Sequence, residues 1–267
     1  ALSYQQLGGY ELFLKKDQRL FDTCLQNMKE VNSLLKPIFK ADVFSSVSNH
    51  FNFSRIQNQY IRNQFEGQID TGKMMQALIR RVQELGVIIL NNTKVETYLE
   101  HSDKVSIQTS HFEFSAQKLI FTTNGFAKQL INVDVQPARA QVLITKPLKN
   151  LQIKGAFHLD CGYYYFRNID NRILFGGGRN LDIKGETTTE LAQTQTIQQS
   201  LETLLKHTIL PEIDFEIEHR WSGIMGVGSQ KKPIVKQLSE HVYCGVRMGG
   251  MGVAIGSLIG KEVSDFF

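Results

Sequence analysis

Between Asp70 and Gly125 the chain runs through a helix-like stretch, a glycine, an apolar run, three alternating segments and a second apolar run ending in Thr-Thr-Asn-Gly. Met74, Met75, Leu78, Ile79, Val82 and Leu85 recur at three- and four-residue spacing, which predicts a helix from about Thr71 to Leu85. Asp70 or Thr71 supplies its cap and Gly86 its stop. Residues 87–90 (VIIL) read as a buried strand, 94–101, 104–110 and 111–116 as a small antiparallel ribbon, and 118–125 as another buried strand. That order restricts the chain to an α/β (α+β) architecture. It also places Asn124 and Gly125 at the C-terminal end of a strand, where open α/β sheets bind ligands.

Elsewhere the pattern is looser. Residues 10–44 show helical spacing through Leu12, Phe13, Leu20, Phe21, Cys24, Leu25, Met28, Val31, Leu34 and Leu35, with Pro37 expected to begin the break. Residues 139–146 and 163–176 alternate as strands, the latter as a hairpin turning at Ile169-Asp170-Asn171. A polar helix is expected over 188–207 with Leu191, Ile197, Leu201, Leu204 and Leu205 inward. FEIEHRWSG reads as a strand leading into a glycine-rich loop, and VYCGV as a last buried strand before a terminal helix. Three glycine-bearing strand ends result: 122–125, 221–228 and 245–256, the last opening a helix. Free N–H groups and the positive dipole end at such a place suit phosphate or a polarised carbonyl.

Several classes of function are disfavoured. A net charge of +4 with scattered Lys and Arg gives no reason to expect nucleic acid. Three widely spaced cysteines and seven dispersed histidines form neither a disulfide framework nor a metal-binding pattern, and a reducing, cytoplasmic setting is expected. No apolar run reaches the roughly 18 residues of a membrane span. The first residues lack signal-peptide character, and the absence of Met leads to the expectation of residues upstream.

The segments EGQIDTGKMMQALIRRVQELGV, KVETY, KLIFTTNGFAKQL, ARAQVLIT, GYYYFRNIDNRILFGGGR, HRWSGIMG and GGMGVAIG, in that order, resemble the flavin amine oxidases of the D-amino-acid oxidase, glycine oxidase and sarcosine oxidase group. The resemblance implies non-covalent FAD, since no cysteine falls near Gly223 where sarcosine oxidases attach theirs. Val95 matches the position whose backbone meets the adenine, and Thr122, Thr123, Asn124 and Gly125 match a segment beside the dinucleotide. Gly223 and Ile224, with Gly249, Gly250, Met251, Gly252 and Val253, match loops that close over the flavin ring. The implied reaction is oxidation of the C–N bond of an amino acid or secondary amine by hydride transfer to the flavin. The partner would be that small molecule, and no catalytic acid or base is assigned.

One departure is large: the strand, G-x-G-x-x-G turn and acidic residue that hold pyrophosphate and ribose have no counterpart in this sequence. A missing N-terminal segment or a separate chain is expected to carry them. The implied organisation is an N-terminal helical segment (1–65), two parts of an FAD-binding domain (66–136 and 216–267) and an antiparallel substrate sheet (137–215). A hydroxy-acid or glycerol-phosphate-type dehydrogenase of the same fold, and a non-catalytic fragment holding no FAD alone, remain alternatives.

Candidate substrate-binding residues are Tyr163 and Tyr165, alternating on one strand, Arg167 on the same strand and Arg247 beside the glycine run. Arginine pairs with a carboxylate through two parallel hydrogen bonds. Each candidate has a plainer reading: the tyrosines as core packing, Arg167 as a structural ion pair, Arg247 pointing out of its loop, and the glycines as turns needing positive φ.

Overall fold

A computed structural model describes residues 2–267. The elements in chain order are β1 (Gly9–Leu12), α1 (Gln18–Phe39), β2 (Phe44–Ser48), β3 (Gln59–Asn63), α2 (Thr71–Glu84), β4 (Val95–Glu100), β5 (Val105–Thr109), β6 (Glu113–Ala116) and β7 (Leu119–Phe121). They continue with β8 (Gln136–Thr145), β9 (Ala156–Leu159), β10 (Tyr164–Ile169), β11 (Arg172–Gly177), α3 (Gln195–Leu204), β12 (Ile217–Val227), β13 (Ile234–Gln237), β14 (Val242–Val246) and α4 (Gly252–Ser264). Two compact units result. One comprises the residues up to Ala77 with Ala140–Ile183 and Ala192–Ser222, the other Leu78–Arg139, Lys184–Leu191 and Gly223–Phe267.

The first unit is built on an eight-stranded sheet of order β12-β8-β11-β10-β9-β1-β3-β2. It is mixed, because β1 runs parallel to β9 while β1 and β3, β2 and β3, and β9, β10 and β11 pair antiparallel. The segment 1–65 therefore contributes three strands as well as a helix. Helical periodicity was expected from Tyr10, yet Tyr10 and Leu12 are two apart and both enter the core, at 6% and 1% exposure. Period two is a strand's period, and Tyr10 stacks on Phe157 of β9 at 4.9 Å between ring centroids. The helix begins only at Gln18, and it continues through Pro37 to Phe39, where left-handed Lys40 (φ 57°) ends it. Proline so near the end removes little of the helix ladder. Of the expected apolar stripe, Phe21 is buried while Leu20, Val31 and Leu34 are exposed. Buried Asn32 closes α1 onto β2, accepting from the N–H groups of Val43 and Phe44 and donating to the Phe44 carbonyl.

One face of this sheet carries Tyr10, Leu12, Phe157, Phe166 and Phe175 against Ile197, Leu201, Leu205 and Ile209, which are spaced by four along α3 and the π-helical turn after it. Leu191, expected inward on that helix, precedes it and is 65% exposed. The β10–β11 hairpin turns at Asp170 and Asn171, both at positive φ (45° and 57°), as a two-residue primed turn requires.

The second unit holds two three-stranded sheets, β13-β14-β7 and β4-β5-β6, around a core of Val105, Ile107, Phe121, Val133, Val135, Val242, Cys244 and Val246. β14 runs parallel to β7 and is buried along its whole length, as the apolar VYCGV predicts. α2, which begins in the first unit, ends at Glu84, one residue before the expected Leu85, with Asp70 accepting the Lys73 N–H at its start and Gly86 at φ 81° after it. Two expectations fail here. Val87–Leu90 is not a strand: these residues are 40–83% exposed, because no strand lies alongside to satisfy their backbone among the described residues. Gly223 and Gly226 do not lie in a loop but within the eleven-residue β12, since a glycine in extended conformation weakens a strand without ending it. Among the described residues no helix is long and apolar enough to cross a membrane.

Candidate functional site

Three of the sequence's glycine-bearing segments converge within the second unit. After β7 the chain passes exposed Thr122 and Thr123 to Asn124, which adopts φ 47°, a conformation asparagine tolerates better than most residues. Its side-chain oxygen accepts the backbone N–H of Met248 at 3.1 Å, tying the end of β7 to the loop after β14. The third segment lies beneath. A Cβ added to Gly226 of β12 would strike Asn124 Oδ1, and one added to Gly125 would strike the Met225 carbonyl. The Gly249 N–H, at φ 57°, donates to the Gly226 carbonyl at 2.9 Å. Only glycine at Gly125 and Gly226 allows backbones this close.

Arg247, expected at the edge of a substrate space, is 7% exposed and sits at φ 63°. Its Nε donates to the Lys232 carbonyl at 2.8 Å, and its terminal nitrogen donates to the Asp134 carbonyl at 3.1 Å and carboxylate at 2.5 Å. The Ser229 hydroxyl and N–H donate to the same carboxylate, and these bonds, with Arg247 beside it, hold Asp134 below the usual carboxylate range. Asp134 lies 113 positions from Arg247, and no local pattern in the sequence announces the pair. Met248 as a backbone donor to Asn124 and Gly226 as the carbonyl acceptor of Gly249 were likewise missed, because neither contact uses a side chain of Met248 or Gly226.

Beyond this clasp the chain opens. Added Cβ atoms at Gly249 and Gly252 would meet nothing within 4 Å, and one at Gly250 only Met225 Sδ at 3.8 Å. Met251 and Val253 are more than half exposed. No side chain caps α4, whose first carbonyl, that of Met251, accepts from Ala254 and Ile255. The other end of the helix is fixed, since a Cβ on Gly245 of β14 would stand 2.7 Å from Val263 Cγ2. Gly223 also borders open space, and Ile224 next to it is half-buried. Val95 is the first residue of β4, half-buried, at an irregular point in the pairing with β5.

The remaining candidates belong to the first unit. Tyr163 precedes β10 and is 43% exposed. Tyr165 and Arg167 face away from the core that takes up Tyr164 and Phe166. The Tyr165 hydroxyl lies 2.7 Å from where a Gly176 Cβ would stand, and burial pushes its ionisation up. Burial works against the charge of Arg167, while Asp70 and Asp170 support it.

A model of the family "FAD dependent oxidoreductase" matches residues 39–266. The probable oxidoreductase OrdL of Haemophilus influenzae is 22% identical over 204 residues, 70% of this chain and 44% of that protein. Gamma-glutamylputrescine oxidoreductase of Escherichia coli is 23% identical over 198 residues, 69% of this chain and 42% of that one. The chain thus spans less than half the length of these two relatives. Among solved structures, glycine oxidase from Geobacillus kaustophilus superposes with a TM-score of 0.81 at 14% identity, covering 99% of this chain and 71% of that one. L-proline dehydrogenase from P. horikoshii gives 0.76 at 18% identity, covering 99% and 72%. At such identities the structures establish a shared fold. The family model covers most of the sequence, and by it the chain belongs to the FAD dependent oxidoreductase family.

Proposed function

We propose that this chain holds the flavin end of FAD and the substrate of an oxidoreductase that oxidises the C–N bond of an amino acid or secondary amine. The observation that carries the reading is the convergence of 122–125, 223–226 and 247–252 beside open space at Gly249, Gly250 and Gly252, in front of the uncapped start of α4. A flat ring fits glycines whose missing side chains leave that space free, and its polarised carbonyl suits free N–H groups at a helix N-terminus. FAD held there supplies a two-electron acceptor.

The protein's own part is positioning. Asn124 and the Asp134–Arg247 pair fix the conformation of 247–250, so the open N–H groups are aimed before any ligand arrives. In the first unit Arg167, which has no salt bridge among the described residues, takes the substrate carboxylate through its fork of donors. Tyr165 stays a neutral hydroxyl and lines the same sheet face. Arg247 is assigned to loop anchoring, since its donors already have acceptors in the protein. The kinds of protein this chain resembles support the amine reading: glycine oxidase, L-proline dehydrogenase and gamma-glutamylputrescine oxidoreductase.

Titration of the purified chain with FAD, followed by flavin fluorescence, tests this. Saturable quenching in the wild type is expected, with loss of at least tenfold in affinity for Gly250→Val, whose side chain would enter the open space. Equal binding by Gly250→Val places the flavin elsewhere.

A further inference from the structure

The face of the large sheet opposite its aromatic core carries ionisable groups in a row. Register pairs Glu11 of β1 with His158 of β9, and His158 with Tyr165 of β10, so the three project side by side from neighbouring strands. His158 Nδ1 stands 3.8 Å from Glu11 Oε2, within ion-pair range. The floor around them is small: Gly9 pairs with Ala156 and Tyr165 with Gly176. The Glu66 carboxylate fills the place a Gly9 side chain would take. Arg167 follows two residues after Tyr165 on the same face.

The groups on this face differ in what they can do with a proton. Burial raises Glu11 above the usual carboxylate range; His158 opposes that shift and Glu66 adds to it. Tyr165 keeps its proton, because burial disfavours the phenolate. Arg167 has no proton to take up. Cys24 of α1 lies within electrostatic reach of Glu11 and Cys161, and its thiol is pushed up by burial and by both of them. A neutral imidazole offers a free ring nitrogen to a proton, and a carboxylate within ion-pair range favours the imidazolium that forms.

Oxidation at a C–N bond needs the nitrogen lone pair free, so an ammonium substrate must first lose a proton. We propose that His158 is the proton acceptor for the substrate's amino group, with Glu11 as the positioning residue that orients the imidazole and stabilises the imidazolium. The N–H bond of the substrate ammonium breaks, its electron pair stays on nitrogen, and the proton forms the new N–H bond on neutral His158. Arg167, on the same face, holds the carboxylate of the same molecule. This inference rests on reading the β10 face as the substrate face.

The test is NMR of the full chain at pH 8, reading the histidine rings by nitrogen-15 and the tyrosine rings by carbon-13, with N-methylglycine as probe and acetate as a probe lacking the amine. His158→Gln and Tyr165→Phe identify the resonances. In the wild type N-methylglycine is expected to perturb the Tyr165 ring and move the His158 nitrogens to imidazolium positions. Acetate should perturb Tyr165 alone. In Glu11→Gln the imidazolium population should fall at least tenfold, and Glu11→Asp should restore most of it. N-methylglycine that perturbs Tyr165 but leaves His158 neutral in the wild type overturns the inference while the substrate face stands, as does an unchanged response in Glu11→Gln. If neither probe perturbs Tyr165, the substrate-face reading falls and this inference with it.

Discussion

Asn124 carries two burdens that substitution can separate. It holds a backbone conformation at φ 47° and it accepts the Met248 N–H at 3.1 Å. Asn124→Gly removes the acceptor but relaxes the backbone, leaving one unsatisfied donor, at about 1–3 kcal/mol. Asn124→Ala removes the acceptor and forces a Cβ-bearing residue into the left-handed region, adding about 1–2 kcal/mol. Asn124→Asp keeps the acceptor and should leave the clasp largely intact. Amide hydrogen exchange at Met248 reads the opening directly. Exchange should accelerate about 5- to 150-fold in Asn124→Gly, and about a further 5- to 30-fold in Asn124→Ala, at roughly 1.4 kcal/mol per factor of ten. FAD affinity should fall in the same order if the clasp aims the loop. Exchange in Asn124→Gly within threefold of wild type would refute the reasoning, because the bond would then contribute nothing to holding 248–249.

Two other outcomes are expected. Arg139 and Glu186 form a bidentate pair at 2.8 and 2.9 Å with 5% and 1% side-chain exposure, so Glu186→Gln strands a buried cation and should destabilise by about 3–5 kcal/mol in a urea melt; a loss under 1 kcal/mol sinks this. Asp134 has a depressed folded-state pKa, so its contribution to stability is full above the unfolded carboxylate value of about 3.9 and is lost as pH falls through the folded one. The Ser229 amide resonance should therefore report loosening only on acidification below about pH 4, and Asp134→Asn should remove that dependence.

What could be read from the sequence was local. α2 with its cap and stop, the β5 and β6 strands, the Asp170-Asn171 turn and the buried β14 all depend on neighbours within a few residues, and periodicity and turn chemistry report those. β1 was hidden because its two core residues, Tyr10 and Leu12, also fit the front of a helical pattern, and only packing on Phe157 and Tyr60 decides between periods. The glycine segments were legible as places needing close approach, yet their partner was not. That Asn124 reaches Met248 and Asp134 reaches Arg247 follows from how β7 and β14 run parallel, which pairs residues more than a hundred apart. Glu11 and His158 carried no signal either, since strand register alone sets them side by side.

Val87–Leu90 is a sequence with strong strand preference and, among the described residues, no strand beside it. Val87, Ile88, Ile89 and Leu90 are 52%, 83%, 40% and 53% exposed, and β7 ends its sheet, with β14 as its one strand partner among the described residues. Free edges and unpaired β-branched runs are the two ingredients of intermolecular sheet growth. Val87–Leu90 and the outer edge of β7 are therefore where the backbone of a further strand would find partners, and a charge introduced at Ile88 is the smallest change that would disfavour copies of this chain adding there to one another.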